Sequence, residues 1–166
     1  MAKRRLLWQL YPSYLLVTLV SLLAVTWYAS LSMRQFYFGR TREDLEARAL
    51  LVGEQLRELL DPVQQERIDR LCERLGERSD TRITIVLPSG KVLGDSEEDP
   101  AEMDNHGGRP EIVRAIDGET GSATRYSSTL DHNMMYVAVP LYRQKSLQAV
   151  VRTSLSVTAI EEALAA

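Results

Sequence analysis

The fold is decided by the stretch RITIVLPSGKVLGD at residues 82–95. Residues 82–87 are rich in β-branched side chains, which predicts a strand. The Pro-Ser-Gly segment at residues 88–90 is typical of a turn, and residues 91–95 supply the returning strand. The sequence therefore predicts a β-hairpin.

Three more strands and two helices are predicted after the hairpin. An acidic, polar loop at residues 96–108 leads to a short helix that begins near Arg109, because proline is tolerated in a first helical turn, and that ends at Gly118. Short connections favour antiparallel neighbours. The remaining predicted elements are strands at residues 122–129, 134–141 and 147–154 and a helix at residues 156–166.

Two helices are predicted before the hairpin. The first is long and runs to about Leu60, where Asp61-Pro62 ends it because proline restricts the residue before it. The second follows from Pro62 to about Glu77. With the strands, this order predicts an α+β fold, a five-stranded antiparallel sheet with helices on one face.

Apolar residues on the long helix recur with the four-three spacing of a heptad seam. This predicted seam consists of Leu45, Ala49, Val52, Leu56 and Leu59. Two interpretations stay open at this point. The seam forms a coiled-coil contact between two copies of the chain, or it is the apolar face of an amphipathic helix packed on its own domain.

The N-terminal region is predicted to span a membrane. Residues 6–33 contain no charged side chain, and roughly 20 apolar residues are enough to cross the bilayer core. Pro12 and Ser13 interrupt this run early, so the membrane helix is placed at residues 13–35. The alternative is a cleaved signal peptide, whose apolar region is only about 7–15 residues long.

Charge predicts the orientation of the chain and excludes one class of partner. Lys3, Arg4 and Arg5 lie on a short N-terminal tail, and basic residues on short tails stay in the cytoplasm, so the main domain is expected outside it. The first 38 residues hold four basic and no acidic side chains, which leaves 16 basic and 23 acidic ones, or −7, for the remainder. Such a balance is poor for a nucleic-acid binder.

Cys72 is the only cysteine, so no intrachain disulfide can form.

Several segments resemble a known class of sensor domain. Residues 86–96, VLPSGKVLGDS, are similar to the first hairpin of extracytoplasmic PAS-like (Cache-type) domains. Asn105-His106 and the run Arg109-Pro110-Glu111-Ile112 resemble the middle segment of PhoR-type phosphate-responsive sensor histidine kinases. Residues 125–129 and 135–141 continue the likeness.

The resemblance implies a role and a longer architecture. It implies the signal-input part of a two-component histidine kinase, whose second membrane helix leads to a kinase core that uses ATP and Mg²⁺ and serves a response regulator. No such core lies in these residues, so no catalytic residue and no cofactor is expected here. The segments expected are a cytoplasmic tail (1–12), the membrane helix (13–35), juxtamembrane helices (36–78), the sensor domain (79–154) and a helix leading toward an absent second span (155–166).

Five residues are candidates for contact with an extracytoplasmic ligand. The guanidinium groups of Arg109 and Arg125 suit carboxylate or phosphate, although ion pairing with Glu111, Glu119 or Asp131 is an alternative. Tyr126 and Tyr136 are either part of a ligand cage or a cross-strand pair. In the resembling family the segment around Asn105 and His106 shapes a loop over the sheet, in which Asn105 would cap a turn and His106 would bond a carbonyl.

Other functions are weighed against the kinase-sensor interpretation. The acidic loop lacks the spacing of a calcium site, and His106 and His132 lack the spacing of a zinc site, so no metal is expected. A homodimer in the membrane is expected. The alternatives are the sensor of a chemoreceptor-type receptor and a membrane-anchored adaptor that binds another membrane protein.

Overall fold

The structure of the protein is a computed structural model. It describes the backbone of residues 2–127 and 132–157, and the side chains of residues 11–126 and 133–157. Contacts divide the chain into two units, Met1–Gly39 and Arg40–Ala166.

The first unit is helical and apolar on its surface. It belongs to helix α1, which spans Ala2–Leu56 and contains Pro12. Large apolar side chains from Tyr11 to Phe36 are exposed. Among the described residues, one helix is long and apolar enough to cross a membrane, and it is this N-terminal helix.

The second unit contains the sheet and two further helices. The bounds of its strands lie within a few residues of those predicted. Its elements after α1 are α2 (Gln65–Ser79), β1 (Arg82–Val86), β2 (Val92–Asp95), α3 (Pro110–Ile116), β3 (Gly121–Ser127), β4 (His132–Arg143) and β5 (Ser146–Ser156).

The five strands form one antiparallel sheet in the order β2-β1-β5-β4-β3. The predicted hairpin is present as β1 and β2, and β3, β4 and β5 form the predicted meander. Strand β5 joins the meander to the hairpin by pairing with β1, with Ile83 opposite Thr153. The predicted α+β fold with a five-stranded antiparallel sheet is confirmed.

Helices cover both faces of the sheet, whereas the prediction placed them on one. Helices α1 and α2 pack on the face that carries Ile83, Ile85 and Val151. The short helix α3 packs on the opposite face, where Ile112 and Ala115 contact a second apolar cluster. The physical reason is that β1 and β5 carry buried apolar residues at both even and odd positions, so each face needs a cover.

The predicted heptad seam lies in the core of its own domain. Leu45, Ala49, Val52 and Leu56 are between 0% and 5% exposed, and Leu59 is partly buried against the same cluster. The Thr153 hydroxyl also donates a hydrogen bond of 2.9 Å to the Leu45 carbonyl. These side chains are therefore not available as a dimer contact, and the coiled-coil interpretation is wrong. Over so few turns, a heptad repeat and an amphipathic face have the same spacing.

The ends of two predicted helices differ from the structure. Helix α1 ends at Leu56, before the predicted end at Leu60, and α2 begins at Gln65. Strand β5 reaches Ser156, so the predicted terminal helix at residues 155–166 begins too early. Residues 158–166 lie outside the described part of the chain.

Candidate ligand-binding site

A small polar cavity lies on the α3 face of the sheet. Its volume is about 180 Å³. The loop at residues 96–109 contributes one part of its lining, and four strands contribute the rest. The side chains that line it are Arg82, Glu98, Glu102, Met103, Asp104, His106, Arg109, Arg125, Tyr136 and Arg152.

Strand register brings the sheet residues of the cavity together. Arg152 is paired with Thr84 on β1, and Tyr136 is paired with Ala123 on β3. Since side chains alternate along a strand, Arg125 lies on the same face as Ala123. Residues distant in sequence thus meet on one face.

Arg82 and Asp95 form a buried ion pair in the first strand pair. The Nε atom of Arg82 donates to both carboxylate oxygens of Asp95, at 3.0 and 3.2 Å. The Thr84 hydroxyl donates to Asp95 at 2.6 Å. Burial works against the charged guanidinium, but the carboxylates of Asp95, Glu97 and Glu98 together outweigh it and raise the pKa of Arg82. Arg82 is therefore a fixed cation with its own counter-ion.

Two further arginines share one buried carboxylate. Oε1 of Glu111 lies 3.1 Å from Nη2 of Arg125 and 3.5 Å from Nη1 of Arg152. Nη2 of Arg152 also donates to the Thr84 hydroxyl at 2.9 Å. Burial lowers the pKa of Arg152, whereas Glu111 and Asp95 oppose that change. A side chain at Gly121 would clash with the Glu111 carbonyl, so glycine there lets α3 approach β3 closely.

This shared ion pair is incompletely satisfied. Among the described residues, Oε2 of Glu111 and the Nε atoms of Arg125 and Arg152 are buried without a hydrogen-bond partner. Buried polar groups in folded proteins are nearly always paired, with protein, water or ligand. The cluster therefore has hydrogen-bonding capacity that the described residues do not use.

Tyr136 lies between the same two guanidinium groups. Its ring centroid is 4.1 Å from Cζ of Arg125 and 5.0 Å from Cζ of Arg152. Cation–π attraction of this kind is stronger when the partners are desolvated, and Tyr136 is buried. The ring therefore holds two like charges close together at the wall of the cavity.

His106 is positioned by contacts between its loop and the β1–β2 turn. Its backbone N–H donates to the Gly90 carbonyl at 2.9 Å, and the Asn105 amide donates to the Ser89 carbonyl at 2.9 Å. The Gly107 N–H donates to Oδ1 of Asn105 at 2.8 Å, which is the turn expected of Asn105. Gly90 has a φ of +85°, and a side chain there would clash with Asn105.

The ring of His106 faces the cavity rather than a protein partner. The residue is 6% exposed, and its Nδ1 atom has no hydrogen-bond partner among the described residues. Among the described residues, the His106 ring does not make the hydrogen bond to a backbone carbonyl that the sequence predicted. Burial, followed by the charges of Arg152 and Arg109, lowers the pKa of His106 to about 4. The ring is therefore neutral at neutral pH.

Arg109 immediately precedes α3 and is half-buried at the cavity. Its backbone N–H donates to the His106 carbonyl at 3.0 Å. Within the described part of the chain, its guanidinium has no carboxylate within ion-pair distance, so the predicted pairing with Glu111 or Glu119 is absent. The predicted pairing with Glu111 is made by Arg125 instead.

The structure brings four of the five predicted ligand residues together: His106, Arg109, Arg125 and Tyr136. Tyr126 is 56% exposed and does not line the cavity, because it follows Arg125 and so points to the other side of the strand. Whether these residues bind a ligand stays a prediction. Asp131 and His132 fall where side chains are not described.

Sequence reasoning missed Arg82 and Arg152, and it missed that Glu111 pairs with two arginines at once. One signal was available, since Arg152 interrupts the apolar run Ala149-Val150-Val151 inside a strand. A charge in such a run needs a buried partner. No group of three or more His, Cys, Asp or Glu side chains in the described ranges is arranged to hold a metal ion.

No protein-family model and no curated protein matches the sequence. Solved structures are similar in fold. The sensor domain of Escherichia coli DcuS is 19% identical with a TM-score of 0.59, covering 76% of this chain and 99% of that one. The sensor domain of the V. cholerae histidine kinase DctB is 18% identical with a TM-score of 0.59, covering 82% and 60%.

Ligand-binding domains of chemoreceptors have the same fold. That of Campylobacter jejuni Tlp3 is 11% identical with a TM-score of 0.61, and the likeness covers 79% of this chain and 56% of that one. The chain thus spans nearly all of the DcuS domain but only 56–60% of the DctB and Tlp3 chains. At these identities the likeness establishes the fold, which is PAS/Cache-like.

Proposed function

We propose that this chain is the signal-input part of a membrane-anchored sensor histidine kinase, and that its polar cavity binds a small anion. The observation that carries the proposal is the charge of the cavity wall. Arg125 and Arg152 share a single carboxylate, that of Glu111, and among the described residues Arg109 has no carboxylate within ion-pair distance. A carboxylate or phosphate group would satisfy the Nε donors of Arg125 and Arg152, which have no partner among the described residues.

The acidic side chains at the cavity limit the class of ligand. Glu98, Glu102 and Asp104 contribute to the lining from the loop, and Oε2 of Glu98 lies 3.6 Å from Nη2 of Arg82. An anion would therefore place its negative group toward Arg125 and Arg152 rather than toward the carboxylates of the loop. The small volume favours a ligand of metabolite size rather than a peptide.

The fold supports a sensory role and leaves two kinds of receptor to be distinguished. DcuS and DctB are represented by their sensor domains, and DctB is a histidine kinase. A chemoreceptor is the second candidate, since Tlp3 was solved with 4-methylisoleucine and the amino-acid chemoreceptor PctC with GABA. A phosphate-responsive kinase of the PhoR type is the finer version of the first proposal, and the sequence resemblance supports it.

The coding sequence after Ala166 separates these candidates. A second apolar span followed by a histidine box would support the kinase, with ATP and Mg²⁺ bound by that later core and a response regulator as its partner. A long methyl-accepting coiled coil would support the chemoreceptor. A stop codon would support the anchored adaptor.

The proposed mechanism is a shift between two packings of α1 on the sheet. Thr153 bonds to the α1 backbone, and its neighbour Arg152 faces the cavity. An anion at Arg152 would therefore favour one position of β5 and of the helix that it contacts. In the proposed topology the N-terminus is cytoplasmic, the second unit is extracytoplasmic, and the chain forms a homodimer through a surface other than the predicted seam.

Thermal unfolding of the full chain in detergent tests ligand binding. The screen compares small carboxylates, inorganic phosphate and divalent cations, and we expect stabilisation by one or more anions. Arg109→Gln should abolish the anion effect. Arg74→Gln removes the same charge from the exposed face of α2 and should leave it unchanged. An equal anion effect in both variants, or none in the wild type, would contradict the proposal.

A further inference from the structure

We propose that the cavity takes up its anionic ligand together with one proton from the solvent, and that the ring of His106 holds this proton. The proposal rests on the proposed function, because it requires an anion in the cavity. It adds a role for His106 and a dependence of ligand affinity on pH.

The first step is the geometry of His106. Backbone hydrogen bonds to Gly90 and from Arg109 hold the residue on both sides, so the ring needs no side-chain partner to stay at the cavity. It is 6% exposed, and its buried Nδ1 atom is unpaired among the described residues. A doubly protonated ring donates hydrogen bonds from both nitrogens, and a bound anion supplies acceptors.

The second step is the set of charges around the ring. The cations are Arg82 on β1, Arg109 before α3, Arg125 on β3 and Arg152 on β5. The groups that oppose them are Asp95 on β2, Glu111 on α3 and Glu98, Glu102 and Asp104 on the loop, with Tyr136 on β4. Burial and the nearby arginines together outweigh these carboxylates and lower the pKa of His106 to about 4.

The third step is the effect of an anion. A negative charge placed against the arginines offsets the cations that disfavour the imidazolium form, so it raises the proton affinity of His106. Thermodynamic linkage then requires that protonation strengthen anion binding by the same factor. Affinity should rise as the pH falls through the bound-state pKa, by up to about tenfold per pH unit, until the empty-state pKa is reached.

Histidine titration by NMR on the wild-type chain in detergent provides the first test. His106 and His132 are the only histidines, so a His106→Gln variant assigns the signals. We expect a low pKa for His106 without ligand and a rise of about 2.5 units or more with saturating fumarate, which is the rise that a tenfold change in affinity between about pH 7.5 and 5.5 requires. Bound fumarate with an unchanged His106 pKa would overturn the proposal.

Calorimetric titration with fumarate and with sulfate, at about pH 7.5, 6.5 and 5.5, provides the second test, because both probes stay dianionic over that range. The dissociation constant of at least one should fall about tenfold or more toward pH 5.5. His106→Gln should flatten this profile, whereas His132→Gln should retain it. Binding with a flat wild-type profile contradicts only this proposal, while binding of neither anion at any pH contradicts the proposed function as well.

Discussion

Glu111 is the residue whose removal should disturb the cavity most. It is fully buried, and its Oε1 atom lies between the guanidinium groups of Arg125 and Arg152. Glu111→Gln preserves the shape but removes the counter-ion of the buried Arg152 and of the partly buried Arg125. Breaking one side of a buried ion pair costs about 3–5 kcal/mol, so we expect the free energy of unfolding to fall by about 3 kcal/mol in a denaturant titration.

Glu119→Gln is the matched control for that substitution. Glu119 also pairs with an arginine, Arg114, at 3.0 Å, but both side chains are more than half exposed. Exposed ion pairs contribute about 0–1 kcal/mol, so this variant should be nearly as stable as the wild type. Equal losses in the two variants would show that the burial of Glu111 has no energetic consequence.

His106 should make the empty domain less stable as the pH falls. Its pKa is about 4 in the folded chain and near 6.5 in the unfolded chain, so the unfolded state binds more protons between these values. The contribution of His106 to the free energy of unfolding is fully present above pH 6.5, and about 2 kcal/mol of it should be lost by pH 5. Denaturant titrations of wild type and His106→Gln at several pH values measure this loss, and a wild-type slope equal to that of the variant would contradict it.

At the scale of elements, α1 should act as a core helix within the second unit. Leu56 is fully buried on α1 against the sheet, and Leu56→Ala should lower the free energy of unfolding by about 2–5 kcal/mol. Leu51 lies on the same helix but is 67% exposed, so Leu51→Ala should have little effect. A Leu56→Ala variant that kept wild-type stability but lost self-association would contradict this role and would support a coiled-coil contact between two copies of the chain.

The strands were predictable from the sequence, but the packing of the helices was not. The hairpin of β1 and β2 follows from a β-branched run, a Pro-Ser-Gly turn and a returning strand, which are local signals. Tertiary contacts decide what the α1 seam packs against. The spacing of the seam residues is compatible both with packing on the sheet of the same chain and with packing on a second copy. The cover that α3 provides depends on residues from four strands, which a linear pattern does not bring together.

The candidate site was half predictable for a similar reason. Arg109, Arg125, His106 and Tyr136 stood out through residue chemistry and family resemblance. Arg82 and Arg152 depend on strand register, since each belongs to the cavity only because β1 pairs with β5. Tyr126 was misplaced because the phase of alternation in β3, rather than residue type, decides which side chains face the cavity.

At the scale of the whole molecule, the proposed topology can be tested by cysteine labelling. Cys72 is fully buried and burial raises the pKa of its thiol, so the unaltered chain should not react. Arg74→Cys adds an exposed thiol on α2, and a membrane-impermeant maleimide should label it in intact cells, because Lys3-Arg4-Arg5 is expected to stay inside. Ala2→Cys should react only after permeabilisation. Labelling of Ala2→Cys in intact cells, with Arg74→Cys labelled only after permeabilisation, would show that the topology is the reverse of the one proposed.

We expect the two sources of cavity residues to differ in how freely they can change during evolution. Arg82 and Arg152 are part of the hydrogen-bonded centre of the sheet, where β1 and β5 also carry the apolar core. His106 and Arg109 belong to a covering segment that is held by a few backbone contacts at the β1–β2 turn. Descendants of this sequence should therefore acquire new ligand preferences through the covering segment, while the strand arginines are inherited with the fold.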